Sequence, residues 1–281
     1  MAIAIYALGA PQHARLREAR APIAAVTQAA QPTGELVEIT ATDGFTTRLG
    51  VVRDLSHDQP RPVVVILGGH RTGRAAAQLV GEPGRLAVVA VDYPYDGPDR
   101  VRGVGQVLRH APGMRRAVLN TPRALSQAVD WVLTQAWADP AQVELVGVSL
   151  GVPFAAAAGA QDARFSRVWL IQGSADNHAW LEHGLERKIA QPWLRSLGAT
   201  VVHRLAHGET FRTTEWIAMI APRPVVVVGA ESDQRLPRAL VEGLYAAAGE
   251  PRELVWVAGG HVNPRRLETV QPLLQLVRSR M

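Results

Sequence analysis

The sequence predicts an α/β fold: a doubly wound, mostly parallel sheet with helices on both faces. Three observations predict it. Six short apolar runs, at residues 63–67, 86–91, 143–147, 168–171, 225–228 and 254–257, are continuous rather than alternating. That is the pattern of strands buried on both faces of a parallel sheet. Segments with helical spacing separate several of the runs, so strand and helix alternate as they do in crossover units. Finally, the 281 residues are 47% hydrophobic and contain no cysteine, so a large core has to hold the chain together without disulfides.

The elements follow in order. Residues 1–34 are expected to form a helical, arginine-bearing lead-in, and residues 35–281 the main domain. Residues 35–40 alternate and are rich in β-branched side chains, and Asp43-Gly44 marks a hairpin turn into a second strand at 46–52. Two antiparallel strands would thus form one edge of the sheet. Helices are expected at 121–136, where Ala124, Ala128, Trp131 and Val132 recur at three- and four-residue intervals, and at 237–248 and 265–278. Two stretches break the rhythm: residues 96–118, with Gly97, Pro98, Gly103, Gly105 and Pro112, and residues 174–220, with Trp180, Trp193 and Trp216. Both would leave the carboxyl ends of strands, and both are expected as small lid or pocket-wall insertions.

Several function classes are disfavoured. The formal charge of +5 rests almost wholly on arginine, Lys188 being the one lysine. The arginines are interleaved with acids instead of clustered on a face, so no nucleic-acid partner is expected. No run reaches the roughly 18 apolar residues of a membrane span. The apolar opening, residues 1–10, lacks the basic region of a signal peptide. A cytoplasmic location is therefore expected, with a trimmed export leader as the alternative. Without cysteine there is no thiolate zinc site, and no paired-histidine spacing suggests a metal. Nor does a glycine-rich phosphate loop followed by lysine occur. No cofactor is expected.

The chemistry points to a serine. Gly147-Val148-Ser149-Leu150-Gly151 follows one apolar run and precedes the alanine-rich segment Phe154-Ala155-Ala156-Ala157-Ala158. This is the strand–turn–helix setting of a nucleophile elbow, in which small neighbours let strand and helix pass closely and the serine hydroxyl is held above the sheet. A hydroxyl needs a base. His261, in Gly259-Gly260-His261-Val262-Asn263-Pro264, stands on a glycine-rich loop after the last run. An acid should orient that imidazole. Asp233, after the run at 225–228, is the expected acid, with Glu231 as its rival. The oxyanion of acyl transfer needs donors. The backbone N–H of Leu150 is one candidate, and that of His70, on the loop Gly68-Gly69-His70-Arg71-Thr72-Gly73, is the other. Arg71 either grips a polar group of the substrate or faces solvent, and Tyr95, in Asp92-Tyr93-Pro94-Tyr95-Asp96, is a candidate pocket residue.

With Gly147-Val148-Ser149-Leu150-Gly151, Asp233 and His261, the chain resembles the α/β-hydrolase superfamily. It is most similar to the dienelactone-hydrolase-like and acetyl-xylan-esterase or prolyl-oligopeptidase-like branches. Supporting pieces are residues 88–94, Asp139-Pro140, Ile220-Ala221-Pro222-Arg223-Pro224 and Gly259-Gly260-His261. Dienelactone hydrolases use a cysteine nucleophile, which is absent here, and the oligopeptidases carry a propeller domain that this sequence lacks. The resemblance therefore implies a serine esterase acting on a small-molecule ester through an acyl-enzyme, without a cofactor. Alternatives on the same framework are a thioesterase, an amidase, a C–C hydrolase or a non-catalytic binding protein.

Overall fold

The computed structural model describes residues 10–56, 59–69, 72–98, 100–101 and 103–281. Among the described residues nine strands make one sheet: β1 (Ile23–Gln31), β2 (Gly34–Ala41), β3 (Thr46–Arg53), β4 (Arg61–Leu67), β5 (Ala87–Val91), β6 (Ala138–Val148), β7 (Arg167–Ile171), β8 (Val225–Ala230) and β9 (Arg252–Val257). Their spatial order is β1-β2-β3-β5-β4-β6-β7-β8-β9. The first three strands join antiparallel to one another and to β5, and the rest of the sheet is parallel. Each apolar run of the sequence lies on a strand, Leu86 alone standing just ahead of β5.

The two faces are covered differently. One face carries β-strand residues such as Val65, Val89, Leu145, Leu170 and Val227, sealed in one continuous core. Over it lie α3 (Gly103–Val132), α4 (Val152–Gln161) and α8 (Arg238–Ala247), preceded in the chain by α1 (His13–Leu16) and α2 (Ala76–Leu79). The opposite face has two smaller cores. One packs Val64, Val146, Trp169, Ile171, Val226 and Val228 against α9 (Leu267–Arg278). The other packs Val52, Val88 and Ala90 against α2. Among the described residues, no helix is long and apolar enough to cross a membrane.

The lead-in differs from expectation. Its helix is the single turn α1, and residues 23–31 form the edge strand β1, paired along β2. The tight turn at Pro32-Thr33, with Gln31 opposite Gly34, drives the pairing. Proline presets the first turn position, and Gly34 sits at φ +135°, where a Cβ would lie 2.2 Å from the Val51 carbonyl oxygen. Ladder hydrogen bonds then outweigh alanine's helix preference, and because almost all of β1 is exposed it needs no apolar pattern.

A second difference lies in residues 96–118. From Gly103 onward they are the first half of the thirty-residue α3, which runs through Pro112 and Pro122. Each proline removes one bond from the ladder, a loss that the buried stripe of Ala124, Leu125, Ala128, Val129 and Trp131 farther along the helix outweighs. Residues 174–220 form α5 (Asn177–Leu185), α6 (Pro192–Leu205) and α7 (Thr213–Ala218). Asp176 starts α5 by accepting the N–H groups of His178 and Ala179.

Candidate active site

The site grows from the carboxyl ends of β6, β8 and β9. β6 ends in extended backbone at Val148, and Ser149 then turns to φ 53°. A serine in this left-handed region costs about 1–2 kcal/mol, so the surroundings must enforce it. They do so through glycine: a Cβ on Gly147 would lie 2.5 Å from the Ala155 Cβ, and one on Gly151 would lie 2.2 Å from the Leu67 carbonyl oxygen. Only bare backbone lets α4 start this close to β4 and β6. Pro153, in the first turn of α4, helps set the helix direction.

The three sequence-predicted residues come together. Ser149 Oγ lies 2.8 Å from His261 Nε2, and His261 Nδ1 lies 2.6 Å from Asp233 Oδ2. The roles of the two ring nitrogens follow from the carboxylate. Asp233 can only accept, so Nδ1 carries the proton, and the Nε2 lone pair accepts from the Ser149 hydroxyl. Asp233 is itself held: its Oδ1 accepts the backbone N–H groups of Arg235 at 2.8 Å and Leu236 at 3.1 Å. The side chains of His261 and Asp233 are only 6% and 3% exposed, which keeps their ion pair out of water when the imidazole is charged. Glu231, the rival acid, stands exposed two residues before Asp233 and reaches neither nitrogen, whose partners are Ser149 and Asp233.

The other predicted residues are distributed differently. Leu150 occupies the first turn after Ser149, where its N–H has no acceptor within the turn. His70 and Arg71 lie outside the described residues, although Gly68 and Gly69 beside them border the cavity at Ser149. Tyr95 does not line that cavity. Its ring packs over Gly97 and Gly113, where a Cβ on Gly97 would collide with it.

Three supporting residues have no obvious sequence signal beyond being polar or aromatic at the end of a strand or in an insertion. Gln172, at φ 52° just after β7, accepts the Val262 N–H at 2.6 Å and so fixes the loop next to His261. The buried Tyr93 hydroxyl donates to the Gly68 carbonyl at 2.9 Å, and burial pushes its pKa well up, keeping it a donor. Trp180 of α5 lies with its ring 6.4 Å from that of His261, and its Nε1–H donates to the Arg235 carbonyl at 2.9 Å. The α5 helix thus forms a wall over the loops that carry Asp233 and His261. No group of three or more potential metal-ligating side chains occurs among the described residues.

No protein-family model matches the chain. Two uncharacterized proteins of Mycobacterium tuberculosis are 32% identical to it over 142 residues, 50% of this chain and 45% of theirs. The match thus spans about half the length of these curated relatives. Among solved structures, the acetyl xylan esterase from Paenibacillus sp. R4 superposes with a TM-score of 0.60 at 17% identity, covering 98% of this chain and 92% of that one. An acetyl xylan esterase from Thermoanaerobacterium sp. has a TM-score of 0.60 at 15% identity, covering 97% and 92%. A glucuronoyl esterase from Solibacter usitatus has a TM-score of 0.54 at 15% identity, covering 93% and 87%. The chain has the α/β-hydrolase fold.

Proposed function

We propose that the protein is a serine hydrolase that cleaves carboxylic esters. The hydrogen-bonded chain Ser149–His261–Asp233, at a strained elbow on this fold, carries the reading. The esterases among its structural neighbours support the choice of ester over other acyl compounds.

In the proposed reaction Ser149 Oγ attacks the ester carbonyl carbon as its proton passes to His261 Nε2. The carbonyl π electrons move onto oxygen, and the Leu150 N–H stabilises the oxyanion. A second donor is proposed at the His70 backbone. The C–O bond then breaks, and the departing alkoxide takes the proton from His261, leaving an acyl-serine. Water repeats the sequence: His261 takes its proton, its oxygen bonds the acyl carbon, and Ser149 recovers its hydrogen as the acid leaves. Asp233 holds the imidazole and stabilises its charged form throughout.

Hydrolysis of a panel of esters, thioesters and amides by the protein and its Ser149→Ala variant tests the reading. Ester turnover should fall about 10⁴-fold or more in the folded variant. Undiminished turnover would mean that the chemistry lies elsewhere.

A further inference from the structure

The two sheet faces are filled unequally, and the gap opens onto Ser149. On the α9 side the apolar residues do not merge into one core as they do opposite, but stay divided between an α9 cluster and an α2 cluster. The cause is local. After its loop the chain makes only the turn Gly73–Ala75 and the four residues of α2, and two small residues, Ala75 and Ala76, face a space that a longer helix with larger side chains would close. A cavity of about 810 Å³ remains between α2 and α9. That volume is at the upper end of small-molecule sites.

Its shape follows from the strands. Val64, Ile66 and Val146 form the floor, Ala76 one wall, and Leu274 and Val270 the other. Ser149 and His261 stand at one end. At the far end the Arg278 guanidinium clamps the carbonyls of Val80 and Glu82. From Val64 along β4 and on to Gly68 just past its end is roughly 13 Å at the usual strand rise, the extended length of a chain of about ten carbons. The floor and walls are aliphatic, whereas the mouth carries the exposed Arg235 and Arg265. A carbonyl held at Ser149 would therefore direct its apolar substituent inward and its polar leaving group outward.

We infer that this cavity is an acyl-chain site, and that the substrates are esters of medium-chain aliphatic acids. The inference rests on the hydrolase reading of Ser149. The acyl tail lies on β4 and β6 beneath the nucleophile, the carbonyl carbon reaches Ser149 Oγ, and the alcohol faces the mouth.

The test measures kcat/KM for p-nitrophenyl acetate, butyrate and decanoate, with decanoate binding to the Ser149→Ala protein followed by thermal shift. Burial of each methylene should raise kcat/KM up to about fourfold, so decanoate ester should exceed butyrate ester by about 100-fold or more, chiefly through KM. Leu274→Trp or Val80→Phe, which fill the cavity, should cut that ratio at least tenfold, and decanoate should raise the melting temperature of the Ser149→Ala protein. Two variants are used because either large side chain can disturb packing. Equal turnover of butyrate and decanoate esters, or a ratio that neither filling variant changes, would overturn the acyl-chain site while leaving Ser149 a nucleophile. Failure to hydrolyse any ester would overturn the hydrolase reading and the substrate class with it; decanoate binding that Leu274→Trp abolishes would still support the cavity as an aliphatic-chain site.

Discussion

Gly151 packs against Leu67 so closely that a Cβ on the glycine would sit 2.2 Å from the leucine carbonyl oxygen. The contact joins the turn that carries Ser149 to the strand whose following loop borders the cavity. Backbone meets backbone here, so neither side can yield by a rotamer change. Gly151→Ala should therefore destabilise the protein by about 1–3 kcal/mol, lowering the melting temperature by about 5 °C, with loss of ester turnover. Thermal denaturation and an ester assay check this together.

The left-handed backbone at Ser149 gives a second expectation. Ser149→Ala keeps the strain, since alanine also carries a Cβ, whereas Ser149→Gly releases about 1–2 kcal/mol. Part of that gain is lost to the greater freedom of glycine in the unfolded chain. Ser149→Gly should be the more stable of the two by about 0.5–1 kcal/mol, read from urea denaturation midpoints.

Asp233 and Glu231 can be separated directly. Asp233→Asn should lower kcat about 10⁴-fold, because the amide turns the imidazole to the wrong tautomer. Glu231→Gln, whose carboxylate is exposed and reaches neither ring nitrogen, should change it by about twofold at most. Steady-state kinetics on both variants decide the matter.

Much of this arrangement was legible in the sequence. The six apolar runs lie on strands because burial on both sheet faces leaves a simple compositional mark. Ser149, Asp233 and His261 each follow such a run, and the parallel register brings their loops together at the carboxyl ends of the strands. What the sequence did not reveal depends on distance across the fold. β1 carries no apolar pattern because it is an exposed edge. The first half of α3 was hidden behind glycine and proline. Tyr95 belongs to a segment that reads like a pocket wall, yet its ring turns toward Gly97. The cavity between α2 and α9 exists because one helix is short, and no local motif signals the space that results.

Stability in acid should follow His207. Its ring is buried with Nδ1 unpartnered, at φ 54°. Burial, reinforced by Arg115 and Arg15, pushes its pKa from the ordinary 6.5 down to about 4. The unfolded chain therefore binds a proton first as the pH falls. The contribution of neutral His207 is complete above about 6.5 and is lost progressively between about 6.5 and about 4. His207→Asn keeps a residue that tolerates positive φ and should flatten the fall in melting temperature over that window. An unchanged slope would assign the acid sensitivity to other groups.

The measurement that bears most directly on the central claim is covalent labelling of the native protein with a fluorophosphonate, read by intact mass and peptide mapping. One phosphonyl adduct on Ser149 is expected, absent in Ser149→Ala and strongly slowed in His261→Ala. A folded protein in which Ser149 stays unmodified, or in which Ser149→Ala is labelled just as well, would contradict the assignment of Ser149 as the nucleophile.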